Sequence, residues 1–226
     1  PGTGHRLTPH RRSQITAMRN VLSREEILTD QGRWAADERR RVTLTPKGHA
    51  DGSQGGPEVV VGLSPAFLTR IFHTTGAVPL SQVLNALLDG IADGGGSARV
   101  VRIGHTADTS FLGLTAARLS ASGIGIGIQA KGTAVIHQRS RLPHNNLELF
   151  SNAPITQLVH YKGLGANAAA YALEEMPEPV VVPQRGEAMG ARHHARVAMI
   201  YAIETGLTEE GAAPEVVDVM FSGARS

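Results

Sequence analysis

Residues 123–129, with the sequence GIGIGIQ, alternate glycine and isoleucine with a period of two. That period predicts a strand, because successive side chains of a strand point to opposite faces of its sheet. One face of this strand would carry isoleucines, and the other would carry no side chain at all. Something must therefore approach the bare face closely. The residues leave two occupants open: a bulky, flat ligand for which the glycines leave space, or a helix that packs against the strand.

Strand and helix patterns alternate on both sides of this segment. The predicted strands are 58–63, 98–103, 123–129, 133–138, 216–221 and an edge segment at 178–183, and the predicted helices are 80–91, 110–119, 159–176 and 188–205. Pro79 suits a helix start, and the glycines at 94–96 suit a helix end. Alternating strands and helices predict an α/β body, a Rossmann-like or flavodoxin-like arrangement of three layers with a mostly parallel sheet.

The front of the chain has a different composition. An irregular tail precedes a weak helical pattern over 14–30, carried by Ile15, Met18 and Leu22, and Ser23 with Glu26 fits a capping box at which a second short helix would begin. Residues 45–57 are rich in turn-forming residues and predict a linker. We therefore divide the chain into an irregular to partly helical N-terminal extension, residues 1–57, and an α/β body, residues 58–226.

Composition and charge exclude several classes of protein. The chain has no cysteine, which excludes disulfides, cysteine-ligated zinc, iron–sulfur clusters and a thiol nucleophile. The extension carries ten Lys and Arg against six Asp and Glu, and the body carries twelve against fourteen, so the body offers no basic face for nucleic acid. No apolar run approaches the length of a membrane span, and no secretory signal is visible. We expect a cytoplasmic protein without a membrane segment.

Residues 105–154 resemble a known family. The matching pieces are Asp108 at a strand-to-helix turn, the segment from Arg118 to Thr133 that holds the Gly-Ile strand and Lys131, the residues VIHQ at 135–138, and the residues NLELF that begin at Asn146. This pattern resembles the medium (beta) subunit of adenosylcobalamin-dependent diol (propanediol) and glycerol dehydratases. Weaker matches extend the resemblance over roughly residues 58–205.

The resemblance implies a cofactor and a set of contacts. It implies that the chain binds adenosylcobalamin on the side opposite the reactive face, through Asp108, Lys131 and Asn146, with no catalytic residue and no metal ligand of its own. Carboxylate, ammonium and carboxamide groups suit the amide side chains and the phosphate of cobalamin. The sequence departs from the family at His144 and Ser151, where the family has an apolar residue and often a proline. If these two contact the cofactor, the pocket is more polar than usual.

The resemblance also implies partners. A large barrel subunit would hold the substrate, the radical chemistry and a potassium or calcium ion, and a small subunit would complete a dimer of heterotrimers. This chain would then be a non-catalytic subunit of a hydro-lyase that converts 1,2-diols or glycerol to aldehydes and water, with a reactivating factor as a transient partner. The N-terminal extension would direct the enzyme into a bacterial microcompartment or serve as an arm between subunits. The alternative is the small subunit of a dehydratase-reactivating factor, a chaperone-like protein that acts in cofactor exchange.

Overall fold

The computed structural model describes residues 23–52, 55–151, 156–182 and 191–222. The helices in these ranges are α1 (Arg24–Arg41), α2 (Leu80–Asp93), α3 (Thr109–Leu119), α4 (Leu158–Ala172) and α5 (Ala191–Thr205). The strands are β1 (Val42–His49), β2 (Glu58–Leu63), β3 (Ser97–Arg102), β4 (Ile124–Ile128), β5 (Ala134–Gln138), β6 (Glu148–Phe150) and β7 (Glu215–Phe221). None of these helices combines the length and the apolar character that crossing a membrane requires.

The seven strands form one mixed sheet in the order β1-β7-β3-β2-β4-β5-β6. Strand β2 is parallel to both β3 and β4, whereas the pairs β1–β7, β3–β7, β4–β5 and β5–β6 are antiparallel. The α/β class is confirmed, but the expectation of a mostly parallel sheet is wrong. Two features account for the difference: the turn after β4 returns the chain as the predicted hairpin, and β7 joins the sheet beside β1.

Helices cover both faces of the sheet, which gives the three predicted layers. Alternate residues of β2 point to opposite faces: Val59, Val61 and Leu63 pack with α2, α4 and α5, and Val60 packs beneath α3 with Leu112. The helix over 80–93 presents buried leucines at helical spacing to the larger of these two cores. Helix α3 runs between β3 and β4 on the other face and crosses β2.

The residues between 24 and 49 pack on the body. Ser23 and Glu26 form the predicted capping box, and Ile27 of α1 lies in the main core with only 2% of its surface exposed. The side chain of Gln31 accepts hydrogen bonds from the backbone N–H of Phe72 and His73. The predicted linker is wrong for residues 45–49, because they belong to β1 and pair with β7. The division of the chain at residue 57 stays a prediction. The proposed role of the N-terminal extension, as a targeting segment or as an arm between subunits, also stays a prediction.

Two other predicted elements differ from the structure. Residues 178–182 do not form a strand. Helix α4 ends at Ala172, four residues before its predicted end, where Leu173 caps it and Glu174 takes a positive φ of 62°. Ile15, Met18, Leu22 and the start of the predicted helix over 188–205 lie outside the described residues.

Candidate functional site

Two of the predicted contact residues, Asp108 and Lys131, lie beyond the carboxyl ends of parallel strands, and a third, Asn146, reaches the first turn of α3 from the segment before β6. Asp108 ends the segment after β3, Lys131 follows β4, and Asn146 precedes β6. In sheets of this kind, the ligand site lies beyond the carboxyl ends of the strands, where consecutive crossovers leave in opposite directions. Here that point lies between β2 and β4. Helix α2 connects β2 to β3 on one face of the sheet, and α3 connects β3 to β4 on the other face and passes over β2.

Asp108 is the N-cap of helix α3. Its Oδ1 accepts hydrogen bonds from the backbone N–H of Ser110 at 2.9 Å and of Phe111 at 3.1 Å. An N-cap carboxylate is stabilised by the free N–H groups and by the positive end of the helix dipole. The sequence therefore fixes Asp108 at the beginning of the helix, with its carboxylate at the carboxyl edge of the sheet.

Lys131 lies in the turn between β4 and β5. Its Nζ lies 5.1 Å from the ring centroid of Tyr201 in helix α5. Burial lowers the pKa of the Lys131 ammonium from its usual value, and the carboxylates of Glu204 and Asp108 act in the opposite direction. The side chain is thus a half-buried cation between two acidic groups, and those groups come from different elements.

Asn146 and His144 both contact the first turn of α3. The amide nitrogen of Asn146 donates to Ser110 Oγ at 3.3 Å. Its Oδ1 is buried and has no hydrogen-bond partner among the described residues. The ring of His144, on an exposed residue, meets the ring of Phe111 edge-on, with centroids 5.8 Å apart. Ser151 is also exposed and directly follows Phe150 at the end of β6.

The bare face of β4 is not open to a ligand. A Cβ atom on Gly125 would lie 2.6 Å from the carbonyl carbon of Ala116, and a Cβ on Gly127 would lie 2.6 Å from the carbonyl oxygen of Thr109. Both Ala116 and Thr109 belong to α3. The glycines therefore allow α3 to pack directly on the strand, and the idea that they leave space for a ligand is wrong. A ligand must meet the strand ends and the first turn of α3.

Two further residues of this region, Tyr201 and Glu204 of α5, were not predicted as site residues. Glu204 of α5 is fully buried, and its Oε1 accepts hydrogen bonds from Ser64 Oγ and from the backbone N–H of Ala130. The sequence does contain an indication that Glu204 is buried: it follows the apolar Ile200 by four residues and so lies on the same face of the helix. Burial raises the pKa of Glu204 to about 7, and its bonds with Ser64 and Ala130 and the charge of Lys131 partly offset that rise.

A buried ion pair at the amino end of the parallel strands supports the fold. Arg99 Nε donates to Glu58 Oε1 at 2.8 Å, and both side chains are almost completely buried. Within the described ranges, no three His, Asp or Glu side chains cluster so as to hold a metal ion.

Comparison with known proteins adds a family to this geometry. The family model described as "Dehydratase medium subunit" matches residues 64–178, which is just over half of the chain and includes Asp108, Lys131 and Asn146. A solved structure described as "Glycerol dehydratase reactivase" is similar to this chain with a TM-score of 0.43 and 20% sequence identity, over 52% of this chain and 92% of that chain.

Proposed function

Because this chain belongs to the dehydratase medium subunit family, we propose that it binds adenosylcobalamin within a diol or glycerol dehydratase. A medium subunit is one component of a multisubunit lyase, and the proposed partners are a large catalytic subunit and a small subunit, assembled as a dimer of heterotrimers. In this proposal the chain itself is non-catalytic, and the complex converts 1,2-diols or glycerol to aldehydes and water.

The observation that carries the proposal is the unsatisfied amide oxygen of Asn146 at the first turn of α3. The N-cap of that helix, Asp108, also acts electrostatically on the half-buried ammonium of Lys131. A buried carbonyl without a hydrogen-bond partner is costly, which favours a ligand that supplies a donor there. The rim of cobalamin carries carboxamides, which donate and accept hydrogen bonds, and its nucleotide loop carries a phosphate. The donor set of the site therefore fits this cofactor.

Each residue would have a distinct part in holding the cofactor. Asn146 would accept a hydrogen bond from a carboxamide through Oδ1, and Lys131 would donate to a carbonyl or to the phosphate. Asp108 would accept a hydrogen bond from a carboxamide while it continues to cap α3. Apolar surface adjoins these groups, since Phe111 is 42% exposed and Leu149 is 62% exposed. Adenosylcobalamin, when bound, supplies radical chemistry through its cobalt–carbon bond.

His144 and Ser151 remain proposed contacts at the margin of this surface. His144 stands against Phe111, so its ring lies at the apolar part of the site. Both residues are exposed, and each would present a polar group to the cofactor or to the partner subunit. In the proposed assembly the complex lies in the cytoplasm or in a microcompartment, a reactivating factor binds transiently, and a potassium or calcium ion lies in the large subunit.

Purification of the native complex through a tag on this chain tests the proposal. We expect a larger dehydratase subunit and a smaller one to copurify, and we expect the complex to retain added cyanocobalamin through gel filtration, as measured by its visible absorption. A complex with an ATPase that retains no cobalamin would instead assign the chain to a reactivating factor. The same complex without this chain is the control, and it should retain less cobalamin.

A further inference from the structure

The Glu204 carboxylate joins the ends of two parallel strands. Ser64 directly follows β2, and Ala130 lies two residues after β4; both donate to Glu204 Oε1, the Ala130 N–H at 2.8 Å. The Ala130 N–H also lies 3.2 Å from Ser64 Oγ. The carboxylate therefore occupies the switch point of the sheet, where the crossovers diverge. It comes from α5, which takes no part in either crossover.

Helix α5 presents two groups to Lys131 from one turn. Tyr201 places its ring 5.1 Å from the Lys131 ammonium, and Glu204 acts on that ammonium as an opposite charge. Glu204 Oε2 is buried and has no hydrogen-bond partner among the described residues. Within the part of the chain that the structure describes, the second charged group that acts on Lys131 is Asp108, at the start of α3. Lys131 thus lies between α5 and α3, with an acidic group on each side.

A purely structural role does not require the charge of Glu204. A glutamine in its place could accept the same two hydrogen bonds through its amide oxygen. A buried carboxylate, by contrast, costs free energy because water no longer solvates it. Ile200 and Ile203, on the same turn of α5, are fully or almost fully buried, so the surroundings are otherwise apolar. The charged group that benefits from the carboxylate is Lys131.

We propose that Glu204 is a positioning residue for Lys131, which holds the turn after β4 through Ala130 and directs the ammonium through its charge. The proposal rests on the proposed function, since it assigns Lys131 as a cofactor contact. It adds that α5 sets the position and the charge state of that contact. A change that moves α5 would then alter cobalamin binding without any contact between α5 and the cofactor.

The test measures how readily the Lys131 amine reacts as a function of pH. Trace acetylation of the cofactor-free full chain, followed by digestion and mass spectrometry, reports the uncharged fraction of each lysine. The chain has three lysines, and the other two, Lys47 and Lys162, pair with Asp218 and Asp93 and serve as internal references. In Glu204→Gln we expect Lys131 acetylation near pH 8 to rise about tenfold relative to these references, since loss of a nearby opposite charge destabilises the ammonium.

Three variants separate charge from structure. Glu210→Gln removes a carboxylate from an exposed position after α5 and should leave the Lys131 profile unchanged. Ser64→Ala removes one hydrogen bond but keeps the charge, so it should move the profile less than Glu204→Gln. Glu204→Asp keeps the charge on a shorter side chain and should restore most of the wild-type profile.

An unchanged Lys131 profile in folded Glu204→Gln would overturn the proposal. Thermal melts establish which variants fold. If Glu204→Gln does not, Glu204→Met takes its place, because it removes the charge at similar side-chain volume, and an unchanged Lys131 profile in that variant overturns the proposal equally. The assay contains no cobalamin, so it is independent of the proposed function. The effect of Lys131→Ala on cobalamin affinity decides that function separately.

Discussion

Substitution of Gly127 by alanine tests whether α3 really packs on the bare face of β4. The new Cβ would lie 2.6 Å from the Thr109 carbonyl oxygen and 2.8 Å from Gly113 Cα, both in the backbone of α3. Ordinary van der Waals contact begins near 3.4 Å. Neither neighbour is a flexible side chain that could turn away. The helix or the strand must therefore move by the better part of an ångström.

The expected loss in the free energy of unfolding depends on which atoms lie next to the new Cβ. Overpacking of a well-packed core destabilises proteins by about 1–3 kcal/mol, and a clash between backbone segments belongs at the upper end, about 3 kcal/mol. Gly32→Ala is the matched control, because Gly32 is exposed in α1 and a Cβ there meets nothing within 4 Å. Alanine favours a helix interior over glycine, so the control should gain up to about 1 kcal/mol.

Urea denaturation of the full chain, followed by circular dichroism, measures both effects. The free energies of unfolding of the two variants should differ by about 4 kcal/mol, with Gly127→Ala less stable than wild type and Gly32→Ala more stable. If Gly127→Ala unfolds at the same urea concentration as wild type, α3 does not lie against this strand, and the glycine face would be open to a ligand after all.

Three further substitutions probe the charges and hydrogen bonds of the body. Arg99→Leu removes the guanidinium beside the buried Glu58 and should lower the free energy of unfolding by about 3–5 kcal/mol in urea titrations; a loss below 1 kcal/mol contradicts this reading. Tyr161→Phe removes the hydroxyl that donates to the Gly132 carbonyl at 2.8 Å and should cost about 1–2 kcal/mol, visible as a lower Tm. Burial raises the pKa of Glu204 from 4.5 to about 7, so the folded chain holds this proton more tightly than the unfolded chain. The resulting stability is present below pH 4.5 and is lost as the pH rises to about 7, so Glu204→Gln should gain about 3 kcal/mol over wild type across that range, and parallel stability profiles would refute it.

The sequence predicted elements with a strong local signal. The β-branched run at 58–63, the Gly-Ile strand with its hairpin and the leucine-rich helix after Pro79 all form close to their predicted bounds. Strand β1 was missed because Pro46 and Gly48 resemble a linker in composition, and only pairing with β7 makes that segment a strand. A partner that lies more than 160 residues away leaves no trace in local periodicity.

The site was partly predictable for a similar reason. Asp108 has a local signature, since an N-cap before an apolar helix can be recognised in sequence. The approach of Lys131 to Tyr201 and Glu204 depends on how α5 packs across the strand ends, which sequence spacing does not determine. The glycines show the limit most clearly, because their pattern established a close approach but could not distinguish a helix from a ligand.

Lys131 is the cobalamin contact on which the proposed function depends, and an affinity measurement tests that contact. Cyanocobalamin is titrated into the assembled complex of large, medium and small subunits by isothermal calorimetry. Loss of a charged hydrogen bond at a half-buried site costs about 1.5–3 kcal/mol, so Lys131→Ala should raise the Kd at least about tenfold. Lys47→Ala, which removes an exposed lysine from β1, should leave the Kd at its wild-type value. Equal Kd values for Lys131→Ala and wild type would show that Lys131 does not contact the cofactor.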